Sequence, residues 1–211
     1  SYSPETGETF PIILPDYVSL HGEDEALTIL DAMQTNRVIF IDNSLDNTIS
    51  NLTITAGNAI GEDLLGGGGV GGGIIILHSN LILNNVTIRD NIAIDGGAMA
   101  ISLSDNPIFN NVTISNNTAE RAAGGIGLFS SNPVFTNVVI TGNIAVEDGG
   151  GMHLGGSSNP VFANVIFSEN VAGDDGGALI MRGGTAIFTN VIISSNVANF
   201  GGGMNLRGSS S

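Results

Sequence analysis

"NPIFNNVTISNN" occupies residues 106–117, and the chain repeats it almost unchanged as "NPVFTNVVITGN" at 132–143 and "NPVFANVIFSEN" at 159–170. The Asn before each V-x-[IF] serves as an anchor. Anchors fall at Asn85, Asn111, Asn137, Asn164 and Asn190, at intervals of 26, 26, 27 and 26 residues. An earlier copy, "NLTITAGN", begins at Asn51, and the longer interval after it is filled by the Gly-rich "GEDLLGGGGVGG" at 61–72. A fixed period of this length signals a stacked array of like units. Each unit holds short runs rich in β-branched residues and almost no helical pattern, so one coil of a β-solenoid per repeat is the expected architecture.

Within one unit, Phe109, Val112 and Ile114 alternate with polar residues, the period of two that a pleated strand requires. The parity changes between Phe109 and Val112, which predicts a turn at Asn110–Asn111. A loop should follow Asn117 and lead to a Gly pair and a third run, "GGIGLF", with Ile126 and Leu128 inward. Stacking the units creates columns. Leu83 leads Phe109, Phe135, Phe162 and Phe188; Val86 leads Val112, Val138, Val165 and Val191; Ile88 leads Ile114, Ile140, Phe167 and Ile193. With windings about 4.8 Å apart these columns become continuous buried ladders, the apolar character that parallel sheets need. Asn91, Asn117, Asn143, Asn170 and Asn196 close the second run, where Asn suits left-handed turns and can bond its stacked neighbours. Gly pairs recur at 96–97, 124–125, 149–150, 176–177 and 201–202 and supply positive φ. No helix-opening GKS or GKT follows them, so a phosphate loop is excluded.

Composition narrows the function classes. The 211 residues carry 20 Asp and Glu against five Arg and no Lys, a net charge of -15. Nucleic acid and anionic membrane surfaces would repel such a chain. The lack of Cys excludes disulfides and thiolate metal sites. No apolar run reaches the 18 or more residues of a membrane-spanning helix. Apolar residues make up 42% of the chain, and its 31 Gly are regularly placed, which argues against disorder.

"GGAM", "GGIG", "GGAL" and "GGGM", paired with [IF]-x-x-N sequences such as "FSEN" at 167–170, resemble the GGA[ILV] and FxxN motifs of polymorphic outer-membrane-protein repeats. More broadly they resemble right-handed parallel β-helix repeats of the pectin-lyase-like kind. Phe stands in the [IF] slot only at Phe167; Ile fills it in four other copies. The opening, 7–32, is similar to the first coils of bacterial surface β-helix proteins of the DUF1565 type. The resemblance and the general crossover preference together imply a single-stranded right-handed parallel β-helix, with coils of about 26 residues and three short strands each. A single domain over 1–211 is expected: N-terminal coils at 1–50, regular repeats at 51–211, and a Gly-rich insertion at 57–73. Ser211 stands where another strand of the repeat would begin, so the solenoid is expected to continue. The family further implies an exported bacterial protein, secreted or at the cell surface.

Two groups of residues are candidates for chemistry. His153 faces outward, with Gly127, Ile180 and Asn205 as stacked neighbours, and Arg182 and Arg207 lie one alternation further along. His153, Arg182, Asn205 and Arg207 form a candidate site for an anionic sugar. Asp95, Asp148 and Asp175 align before the Gly pairs, with Glu147 and Asp174 beside two of them, while Ala123 and Phe200 take that place in the other copies. Adjacent coils can pool such oxygens, so this column is a candidate for calcium. No Arg accompanies the acids in their own coils, and Arg121 lies in a coil without one, which counts against pectate-lyase-like catalysis. Outward Thr53, Thr87 and Thr113 give way to Val139, Ile166 and Ile192; this stripe suggests ordered water or, with Ile108, Val134, Val161 and Ile187, a contact surface. The residues favour a non-catalytic structural or adhesion module that meets protein or glycan along a face and self-associates end to end or side by side. The alternative is a carbohydrate-active β-helix enzyme or binding module with calcium at the acidic turns.

Overall fold

The computed structural model describes residues 1–61 and 68–207. The middle of the Gly-rich insertion, 62–67, and the last four residues lie outside them. The described chain is a parallel β-solenoid whose windings pass through three sheets. A bent sheet collects Leu20–His21, Asn47–Thr55, Leu81–Arg89, Ile108–Ser115, Val134–Thr141 and Val161–Ser168, and ends on Ile187–Thr189 and Ile192–Ser194. A narrow sheet holds Ile92–Asp95, Thr118–Ala122, Ile144–Ala145 and Val171–Ala172. A flat sheet of eight strands runs from Ile12–Ile13 through Ile126–Phe129, Met152–Gly155 and Leu179–Met181 to Met204–Leu206. Among the described residues the only helical segment is the short 3-10 turn Pro4–Thr6.

Register places like on like. Phe109 pairs with Phe135, Val112 with Val138 and Ile114 with Ile140, and the next winding continues with Phe162, Val165 and Phe167. The Phe rings stack at centroid distances of 4.8, 5.1 and 5.1 Å from Phe109 to Phe188, nearly parallel. Stacks of this kind add roughly 0.5–1.5 kcal/mol per pair beyond area burial. Inward residues of the bent and flat sheets meet in one continuous core, in which Phe109, Phe135, Ile114, Ile126 and Met152 are fully buried. The last winding is different: Ile187, Ile192 and Leu206 are more than half exposed.

The predicted turn at Asn110–Asn111 is a bend inside one strand. Asn111 takes φ 54°, and Asn51, Asn85, Asn137, Asn164 and Asn190 take φ between 52° and 57° at the equivalent position. Their exposed amides form a ladder, each Nδ2 donating to the Oδ1 of the winding before at 3.0–3.1 Å. A second, buried ladder joins Asn91, Asn117, Asn143, Asn170 and Asn196. It runs the opposite way: each Nδ2 and each backbone N–H donates to the Oδ1 of the winding after it. The left-handed residue lies one position before these Asn, at Asp90, Asn116, Gly142, Glu169 and Ser195, rather than at the Asn itself.

Two expectations need correction. The stretch after Asn117, expected as a loop, carries the narrow sheet; its strands are short and bury only the small Ala93, Ala119, Ala145 and Ala172, while Ile92, Thr118, Ile144 and Val171 face outward, so no large-apolar-inward alternation marks them. The Gly pairs are offset by one residue in a single winding, where Ala123 takes the left-handed φ of 62° that Gly96, Gly149, Gly176 and Gly201 take elsewhere. Ala122, not Ala123, therefore stands opposite Asp95. The second Gly of the motif has a separate reason: a Cβ on Gly124 would meet Gly150 O and Ile144 O at 2.5 Å. A third ladder leaves no mark in the hydrophobic pattern. Ser44, Ser79, Ser104, Ser131 and Ser158 are buried at the corner between the flat and bent sheets. Each of the first four donates its backbone N–H to the hydroxyl of the next at 2.9–3.3 Å.

Candidate functional site

The flat sheet's outer face is where the candidate residues meet. Two columns of side chains point outward from it. One is Phe40, Ile75, Ala100, Gly127, His153, Ile180 and Asn205, each paired with the next. Two residues further on, the same strands carry Leu77, Ser102, Phe129 and Gly155 in register, and Arg182 follows Met181. The columns are large at the top, small in the middle and large again below. Ala100 and Gly127 leave a depression of about 500 Å³, walled on one side by Val70, Ile75 and Leu77 and on the other by His153 and Arg182. From Ile75 to His153 is three strand spacings, roughly 14 Å. Phe129, 56% exposed, stands at one end of the floor.

The other end of the cleft is the turn before the flat sheet, and there the acidic column sits. Its carboxylates are not free. The Asp148 carboxylate takes Arg182 Nη2 at 2.6 Å, and Asp175 takes Arg207 Nη2 at 2.5 Å. Asp95 is bonded by the Arg121 guanidinium through two nitrogens, and its Oδ1 also accepts the Ala122 N–H at 3.1 Å. Asn205 Nδ2 adds a bond of 2.6 Å to Asp175 Oδ1. The expectation that no Arg would stand beside the acids is overturned by these pairs. Arg182 N bonds Leu154 O, at the far end of the strand Met152–Gly155, yet its head reaches Asp148 at the near end. Its side chain therefore lies flat across the face. Arg207 repeats the crossing one winding later, and Ile180, between the two, is fully buried although it faces outward.

The structure thus joins two groups that the sequence kept apart: His153, Arg182, Asn205 and Arg207 on one hand, Asp148 and Asp175 on the other. Glu147 and Asp174 sit on the exposed turn, where Asp174 N bonds Glu147 O at 2.7 Å. Among the described residues no group of three or more His, Asp or Glu side chains converges as a metal centre would require. Hydrogen bonding and the charge of Asp95 hold the Arg121 pKa above its ordinary value. Burial pushes the His153 pKa down, and the neighbouring Arg182 lowers it further. Its imidazole is accordingly neutral near pH 7. The cleft offers paired ions, one neutral imidazole and a small-residue floor. The signal that would expose the Arg182–Asp148 and Arg207–Asp175 pairs is the separation of 34 and 32 residues between partners, one winding plus the seven residues of the Gly turn and flat strand.

The outward Thr column does not form a free array. Thr53 is buried and donates to Glu25 O at 2.8 Å, while Thr87 donates to Glu25 Oε2 at 3.0 Å. No helix among the described residues is long and apolar enough to cross a membrane. A family model described as "Right handed beta helix region" matches residues 37–211. No curated protein and no solved structure matches the chain.

Proposed function

From the premise that the chain belongs to the right-handed β-helix family, we propose that it is a non-catalytic binding module of an exported bacterial protein, secreted or held at the cell surface. It meets a protein or glycan partner through the cleft on the flat sheet. The observation that carries this reading is the pairing of Asp95, Asp148 and Asp175 with Arg121, Arg182 and Arg207. Acid–base catalysis on a sugar needs two groups whose environments push their protonation apart, and calcium needs several unneutralised oxygens. Here Asp95, Asp148 and Asp175 each already have a cation beside them, so these groups are fixed for recognition. The motif resemblance to polymorphic outer-membrane-protein repeats and to DUF1565-type surface proteins supports export. Self-association, end to end or side by side, belongs to the same proposal.

The competing reading is a calcium-dependent polysaccharide lyase. Incubation with pectate, alginate and xylan, with calcium and with chelator, separates the two. The binding module releases no product under either condition. Calcium-dependent formation of unsaturated sugar ends overturns it. Light scattering over a concentration series tests the association: mass should grow with concentration, and a constant monomer removes that part of the proposal.

A further inference from the structure

We infer that the cleft on the flat sheet takes an uncharged oligosaccharide, in place of the anionic sugar that its arginines first suggest. The inference rests on the cleft being a binding site and names the ligand class.

Charge is the first argument. Arg121 and Arg182 are each neutralised by an Asp, so neither is available to a uronate, sulfate or phosphate. An anion in the cleft would face Asp95, Asp148 and the exposed Glu147 in a molecule of net charge -15. A cationic ligand has little more to gain. The one lining carboxylate without a salt bridge of its own, Glu147, stands at an exposed rim within the field of Arg121, where an ion pair contributes about 0–1 kcal/mol.

Hydrogen-bonding capacity is the second. A guanidinium has five N–H donors and a carboxylate about four acceptor sites. Arg182 directs one nitrogen to Asp148, and Asp148 takes one further bond, from Asp175 N at 3.2 Å. Donors and acceptors are left over, fixed side by side on a rigid sheet. Neighbouring sugar hydroxyls each donate and accept, and they match such a row without burying an uncompensated charge. The shape agrees. Ala100 and Gly127 let a flat ring approach the backbone, and the exposed Phe129 ring gives the C–H face of a pyranose something to lie against. An extended peptide fits less well. Strands on the cleft floor are paired on both sides, so no edge is open to take another strand.

Gly127 makes the test clean. A Cβ there meets Ala123 Cβ at 3.6 Å and Gly96 backbone atoms at 3.9 Å, ordinary contacts, so the position accepts a side chain and Gly127→Val projects one into the floor. Titration calorimetry on the whole chain uses hexamers of cellulose, mannan, xylan, starch and chitin as uncharged probes. Hexagalacturonate serves as the anionic probe and a hexalysine peptide as the cationic one. The expected result is binding of at least one uncharged hexamer, weakened roughly tenfold or more by Gly127→Val and by Phe129→Ala, with melting temperatures that show both variants folded. Binding of hexagalacturonate or hexalysine instead, lost in Gly127→Val, overturns the ligand class and leaves the cleft as a binding surface. No binding by any probe, or binding that Gly127→Val leaves unchanged, overturns both.

Discussion

Single residues in this molecule work through the winding next to them, and direction matters. Asn143 Oδ1 accepts both the backbone N–H and the side-chain amide of Asn117, while Asn143 itself leans on Asn170. Asn143→Ala therefore orphans the buried backbone N–H of Asn117 in the preceding winding, while Asn117 Nδ2 keeps Ile88 O and Ser115 O as acceptors. The expected cost is about 1–3 kcal/mol per unsatisfied group, read by urea unfolding. Amide exchange should quicken at Asn117 and stay slow at Asn170. In the exposed ladder, Asn137→Gly should cost much less, since Gly also accepts φ 55° and the lost side-chain bond is open to water. His153 supplies a pH signature. Its native pKa is lowered by burial first and Arg182 second, with Asp148 and Asp95 opposing and Arg121 adding to the fall. The unfolded chain thus binds a proton that the native state refuses. Stability that is complete above the ordinary imidazole range is lost as pH drops through it, until the lower native value is reached. In His153→Gln that part of the acid sensitivity should vanish from melting curves taken between pH 7 and 5.

Elements show which parts of the fold can be read from sequence and which cannot. The bent strands were legible because their inward residues are large and recur at one interval, so Phe109, Val112 and Ile114 named both the face and the bend. The narrow strands Ile144–Ala145 and Val171–Ala172 were not, because two residues hold no period and their Ala side chains carry no hydrophobic contrast. A buried Ser ladder is equally silent, since Ser is ordinary in turns. The candidate site was half legible. Stacking placed His153 among Gly127, Ile180 and Asn205 correctly, but a column alignment says nothing about a long side chain lying back along its own strand. Column alignment alone therefore places Arg182 and Asp148 in different sites. The Phe stack gives an element-scale prediction. Phe135 is fully buried between two rings, so Phe135→Ala should cost about 3–5 kcal/mol. Phe188, 37% exposed with one stacked neighbour, should lose clearly less in the same denaturation experiment.

At the scale of the molecule, repetition is the device that turns a marginal unit into a stable one. No single winding buries its own apolar face; each does so only against its neighbours, as a one-dimensional array requires. The functional face follows from the same rule. Side chains on it can vary freely, since the inward columns hold the fold, and a run of small residues between two bulky stretches is enough to open a cleft. Every functional statement depends on that stacking. Hydrogen exchange read by mass spectrometry along the whole chain tests it most directly. Protection should recur with the winding, strong in each bent and flat strand from Asn47–Thr55 to Val161–Ser168, and fall away in the exposed last winding after Ile187. Strong protection confined to one stretch, or a pattern without the interval of about one winding, would contradict the account.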